Sequence, residues 1–137
     1  MGADHFVVNR PDTLPAQIAD LLGGPPDVVL ETAGAPGLVD LAITCVRPWG
    51  RVVVAGLCLW PELTSHAVAE FKNLTVRYTT AYTRRHFDVV TRELAEGSGP
   101  PVEGLVEVVD LDGFPVAFEA LRDGHGIAKL HLDPWAS

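Results

Sequence analysis

Side chains able to do chemistry are sparse in this sequence, and their spacing is more informative than their number. Cys45 and Cys58 are the only two cysteines and are too far apart for a C-x-x-C pair, so they read as reduced thiols. His5, His66, His86, His125 and His131 show no i, i+4 or H-x-H grouping, so no metal site is expected from this chain's own imidazoles. His86, beside Arg84 and Arg85, reads as a helix-surface residue, and His66 falls near a helix start. There is no G-x-S-x-G elbow, no Walker loop and no G-x-G-x-x-G turn. Glu31 ends an apolar run, a position that suits either a tuned carboxylate or a structural one. Trp49, Trp60 and Trp135 are too scattered to form a stacking platform for bases.

Composition narrows the function classes further. The chain has 137 residues with 10 basic and 18 acidic side chains, a formal net charge of −8. No basic stretch is longer than Arg84-Arg85, so the electrostatic footprint of a nucleic-acid or anionic-membrane binder is absent. No apolar run reaches the about 18 residues of a membrane span, and the first residues lack the basic and apolar regions of a signal peptide. A cytoplasmic protein is expected. A chain of this length buries about two-thirds of its unfolded surface, enough for a core without disulfides or metal.

The elements that must carry these residues alternate between short β-rich runs and amphipathic helical windows, punctuated by 13 glycines and 11 prolines. That rhythm predicts an α/β fold with a parallel sheet. The first strand is read at His5 to Asn9. A helix follows, capped by Asp12 or Thr13, carrying Pro15 in its first turn, burying Leu14, Ile18, Leu21 and Leu22, and ended by Gly23-Gly24. Asp27 to Ala33 reads as a strand buried on both faces. Gly37 to Val46 reads as a helix with Leu38, Leu41, Ala42 and Cys45 on one side. Arg51 to Leu57, the most β-branched run, reads as the central strand.

Farther along, Ala67 to Phe71 reads as a short helix and Leu74 to Thr80, with its alternating pattern, as an edge strand. Thr83 to Glu96 reads as a helix with Phe87, Val90, Leu94 and Ala95 facing inward and Gly97 as its stop. The Ser98-Gly99-Pro100-Pro101 linker separates a region 1–97 from a tail 98–137. The tail reads as a strand at Val106 to Val109, a helix at Phe114 to Leu121 and a strand at Ile127 to Leu132. It is too short for a core of its own, so it is expected to pack on the first region or on another chain.

Taken in order, several segments resemble consecutive landmarks of one family. They are Gly2 to Asn9, Asp27 to Gly34 (DVVLETAG), Pro48 to Gly56 (PWGRVVVAG), Phe71 to Val76 (FKNLTV), Ala117 to Leu121 (AFEAL) and Ile127 to Leu132 (IAKLHL). The family is that of the zinc-dependent medium-chain alcohol dehydrogenases, including sorbitol and threonine dehydrogenases, and the resemblance covers essentially the whole chain. It is to the C-terminal part only. The GroES-like domain with its zinc ligands and the glycine-rich half of the Rossmann domain have no counterpart here. The resemblance therefore implies a partial Rossmann-like parallel sheet with flanking helices and a short C-terminal α+β tail. In the family that tail returns to the catalytic domain. Met1 stands where the family often has an apolar residue before Gly-Ala-Asp, which leaves a natural truncation and a start inside a longer gene both open.

The resemblance also implies a function: the cofactor-binding C-terminal portion of an NAD(P)-dependent, zinc-type alcohol dehydrogenase, an oxidoreductase acting on a CH–OH group. Thr32 and Ala33 match positions lining the adenosine-ribose and nicotinamide side, followed by Gly34. Ala55, Gly56 and Leu57 match backbone contacts to the carboxamide, Thr79, Thr80 and Ala81 a second set, and Lys129 a basic position reaching the pyrophosphate. Without the resemblance, Gly34 and Gly56 read as strand-ending turns and Lys129 as a solvated lysine. At Glu31 the family commonly has a Glu or Asp for structural reasons.

NAD or NADP is the implied cofactor, with weak or absent binding by this portion alone. Zinc is implied for the family, but none of its ligands matches a residue here, and no catalytic residue is assigned. Loss of the sheet's first two strands would leave an unpaired apolar edge, so association is expected with a second copy of the chain or with a separate N-terminal portion. The family's dimer edge corresponds to Leu74 to Thr80, where Tyr78 replaces a frequent glycine and alters the contact. The alternative reading is a non-catalytic half-Rossmann module for self-association or binding.

Overall fold

The computed structural model describes residues 3–8, 10–99, 104–126 and 128–136. The chain divides into two units, the first running to Phe87 and the second starting at Asp88. In the first unit the elements run α1 (Leu14–Leu22), β1 (Val28–Glu31), α2 (Leu38–Cys45), β2 (Arg51–Val54), α3 (His66–Phe71) and β3 (Thr75–Tyr78). A helix α4 (Arg84–Ala95) crosses the boundary between the units. The second unit contains β4 (Val106–Val109), α5 (Phe114–Arg122) and β5 (Lys129–Leu132).

The first unit is a three-stranded parallel sheet in the order β1-β2-β3, with the β-branched strand at its centre as its composition predicts. The register places Val29, Val52 and Val76 in one row and Glu31, Val54 and Tyr78 in the next row on the same face. α2 packs on that face, and Val39, Ala42, Ile43, Val46, Val52 and Val54 form the buried core, with Val68, Ala69 and Leu74 against it. Val28 and Leu30 belong to the opposite face and are exposed, at 42% and 66%. The strand expected to be buried on both faces is therefore covered on one only. The helix that packs on β1 and β2 is α2.

Four other expectations are corrected. His5 to Val8 is not a strand, and Asn9 lies outside the described residues. Phe6 and Val8 are exposed, and among the described residues no strand offers the ladder that an extended segment needs. On α2 the buried stripe is Val39, Ala42, Ile43 and Cys45, with Leu38 and Leu41 only half-buried; the sheet lies to one side of the face that spacing alone suggested. On α4, Phe87, Val90 and Leu94 have the spacing of a buried face yet are exposed. α1 likewise buries none of its apolar residues completely, though its Pro15 and left-handed Gly23 stand where the sequence puts them.

Lys72 ties α2 to the chain entering β3. Its Nζ donates to the carbonyls of Ile43, Thr44 and Val46 at 2.8–2.9 Å, satisfying the groups that the end of a helix leaves unpaired. The tail forms the expected strand, helix and strand, and the structure pairs β4 with β5 in parallel and packs α5 against β5. Ile127, the expected start of the last strand, lies outside the described residues. No helix among the described residues is long and apolar enough to cross a membrane.

Candidate functional site

In a parallel sheet the C-terminal ends of all strands meet at one edge, and the turns leaving them converge there. Thr32, Ala33 and Gly34 leave β1, Ala55, Gly56 and Leu57 leave β2, and Thr79, Thr80 and Ala81 leave β3. The structure thus brings together every candidate residue except Lys129, which is exposed at the start of β5 in the second unit. The ladder extends into this rim: Thr79 N–H donates to the Val54 carbonyl at 2.9 Å, and Ala55 and Gly56 N–H donate to the Glu31 carbonyl at 2.7 and 2.9 Å.

Two glycines allow the first and second turns to touch. Gly34 has φ +68°, the left-handed region, and is buried; a Cβ there would lie 2.6 Å from the Leu57 nitrogen. A Cβ on Gly56 would lie 2.2 Å from the Gly34 nitrogen. Between them sits Glu31, 7% exposed. Its Oε1 accepts from the N–H groups of Ala33 and Gly34, both at 2.8 Å, while its Oε2 is buried without a hydrogen-bond partner.

Beneath the rim lies a cavity of about 120 Å³ lined in part by Glu31, Val54, Gly56, Leu57, Tyr78 and Thr80. Cys58, Trp60 and Glu62 also face it. Sequence reasoning assigned those three, and Tyr78, no part in the site. The period-2 alternation of β3 offered a signal for Tyr78, because it sets Tyr78 in the row of Glu31 and Val54. The loop carrying Trp60 is held at the start of α2 by two clamps. Glu62 Oε2 accepts from Gly37 N–H at 2.9 Å, and Asp40 Oδ1 accepts from Ser65 N–H at 2.7 Å.

The rim presents backbone turns at the strand ends, the first two packed against each other through Gly34 and Gly56. Among the described residues no three His, Cys, Asp or Glu side chains are grouped as a zinc ion requires. Cys45 is no candidate nucleophile either. Burial pushes its thiol pKa up, only partly opposed by the Lys72 charge.

The family model described as zinc-binding dehydrogenase matches residues 1–96. A zinc-type alcohol dehydrogenase-like protein, YogA, of Leptosphaeria maculans (strain JN3) is 29% identical over 112 residues, covering 78% of this chain and 30% of the relative. The alcohol dehydrogenase TADH of Thermus sp. ATN1 superposes with a TM-score of 0.76 at 26% identity, over 87% of this chain and 36% of its own. The E. coli CFT073 short chain alcohol dehydrogenase rspB, solved with NADH, superposes with a TM-score of 0.73 at 23% identity, over 88% and 35%. The chain spans about a third of the length of these relatives.

Proposed function

The chain belongs to the zinc-binding dehydrogenase family, and from that premise we propose that it supplies the nicotinamide-facing wall of an NAD(P)-dependent alcohol dehydrogenase. The observation that carries this reading is the convergence of Thr32–Gly34, Ala55–Leu57 and Thr79–Ala81 on one rim at the strand ends. There the backbone groups of Ala55 to Leu57 and Thr79 to Ala81 would hold the carboxamide, and Thr32 and Ala33 the ribose side. When bound, the nicotinamide supplies the hydride acceptor or donor. The chain's own part is to orient the ring through close backbone contacts and to keep a water-poor pocket beneath it.

The rest of the site, including the zinc ligands and the glycine-rich turn, would come from an N-terminal portion. The Asp27 and Glu31 carbonyls accept bonds from the β2 side, so by the alternation of a parallel ladder the backbone groups of Val28 and Leu30 point to the open edge of β1. That edge, with its exposed apolar side chains, suits a further parallel strand from that portion. The isolated chain then has no alcohol dehydrogenase turnover with added zinc and either cofactor, and binds NADH weakly. Calorimetric titration with NADH and NADPH tests the binding. Alcohol-dependent NADH formation by the pure chain would overturn the division of labour, and the absence of any saturable heat would overturn the cofactor reading.

The same open edge favours a second reading, a non-catalytic module that pairs with another copy of itself. Sedimentation at micromolar concentration separates the two. A mass that rises with concentration and ignores NADH supports self-association; a constant monomer mass rejects it.

A further inference from the structure

We infer that α4 opens on a proton-sensitive cap, in which the neutral imidazole of His86 holds the first turn and its protonation lets that turn fray. The Thr83 carbonyl accepts from the N–H groups of His86 at 3.0 Å and Phe87 at 3.4 Å. That makes Thr83 the N-cap of α4 and His86 the third helical residue. His86 Nδ1 in turn accepts from the Thr83 N–H at 3.2 Å. A side chain reaching back from that position to the N-cap N–H is half of a capping box, and glutamate or glutamine usually supplies it. The apolar part of the same start signal is also present. Tyr82 precedes the N-cap, Phe87 is the fourth helical residue, and their rings meet edge to face with centroids 5.8 Å apart at 82°.

An imidazole in place of the usual carboxylate or amide changes what the cap responds to. An amide oxygen accepts at any pH, whereas an imidazole accepts at one nitrogen only while neutral and donates from both once protonated. With Nδ1 accepting, the ring proton sits on Nε2, and the next proton can only go to Nδ1, where it displaces the Thr83 N–H. Protonation also places a third positive charge in a first turn that holds Arg84 and Arg85 and no acidic residue. That is the end at which the helix dipole disfavours cations. Both effects have the same sign: the helical turn holds fewer protons than the frayed turn, so acid favours fraying. The charged residues within a turn of His86 are Arg84, Arg85 and Asp88, none of them in an ion pair among the described residues. Tyr82 adds a phenol, and α4 packs broadly against no other helix or strand among the described residues. Thr83 follows the rim segment Thr79–Ala81 by two residues, and the capped turn closes the first unit. The cap therefore sets where the chain leaving the rim becomes helix, whatever the rim binds.

The test is NMR on the 15N,13C-labelled full chain at pH 8 and pH 5, the window in which imidazoles change charge, for wild type, His86→Gln and His86→Ala. At pH 8 the wild-type His86 ring is expected as the Nε2–H tautomer and the Cα shifts of Arg84 to Phe87 as helical; an Nδ1–H tautomer overturns the inference with no variant needed. On acidification the ratio of frayed to helical first turn is expected to rise about fivefold, the equivalent of about 1 kcal/mol and the ordinary worth of a cap. The change should follow the titration of the His86 Hε1 resonance, with the Cα shifts of α2 and β2 unchanged, because the opening is local. His86→Gln keeps a neutral acceptor and is expected to hold the turn at both pH values; His86→Ala should leave it frayed at both. A wild-type turn equally helical at both pH values overturns the cap, as does acid fraying undiminished in His86→Gln or a fully helical turn in His86→Ala. Loss of the α2 and β2 shifts together with those of α4 also overturns it, since a local device leaves the core intact.

Discussion

Gly34 and Gly56 meet backbone to backbone, so close that a methyl group on Gly56 would overlap the Gly34 nitrogen at 2.2 Å. The contact joins the two turns at the heart of the rim, and neither side is a flexible side chain able to move away. Gly56→Ala is therefore expected to destabilise the fold by about 3 kcal/mol, the upper range for overpacking. Gly34→Ala adds left-handed strain of about 1–2 kcal/mol to its own overlap with Leu57. Urea unfolding measures both. By contrast Gly97, with φ +69° and no atom within 4 Å of its Cβ position, should cost only the left-handed strain of about 1–2 kcal/mol as alanine.

Lys72 caps three carbonyls at the end of α2. Lys72→Met keeps the apolar stem and removes the donors, leaving partly buried carbonyls unpaired. A loss of about 1–3 kcal/mol is expected, seen as a lower denaturant midpoint with an unchanged slope.

The Cys45 thiol is held protonated by burial, so its pKa lies above the ordinary thiol value of 9.0. A raised folded-state pKa means that the native state binds the proton more tightly than the unfolded chain. The associated stability is complete below about pH 9 and is lost as pH rises through the native pKa. Iodoacetamide at pH 8 should label Cys58, which is half-buried in a loop, well before Cys45. Cys45→Ala should flatten the alkaline fall in stability; an identical alkaline limb in that variant would reject the assignment.

Asp40 and Glu62 hold the loop from Leu57 to Ser65 against α2. Asp40→Ala with Glu62→Ala should cost about 1–2 kcal/mol, since each removes an acceptor from a backbone N–H near a helix start. The larger effect should be local. Limited proteolysis is expected to cut near the exposed Leu59 and Leu63 in the double variant before the native chain is cleaved.

The order of elements is legible in the residues because its signals are local. The β-branched run Arg51 to Val54 becomes the central strand, Pro15 and Gly23 bound α1, and the short runs Val106–Val109 and Lys129–Leu132 become the paired strands of the tail. The candidates Thr32–Gly34, Ala55–Leu57 and Thr79–Ala81 came from the family resemblance, and they share one rim because each triplet follows a strand and parallel strands end together. What a residue touches is not local. Phe6, Leu30 and Phe87 carry the pattern of buried residues yet stand exposed, because a pattern states which side is apolar and only the fold states whether anything covers it. The tertiary structure alone decided that Lys72 caps α2, that Gly34 rests on Leu57 and that Glu31 buries an oxygen between two turns. Each of these depends on segments distant in sequence arriving within a few ångströms, and hydrophobic periodicity carries no information about such meetings.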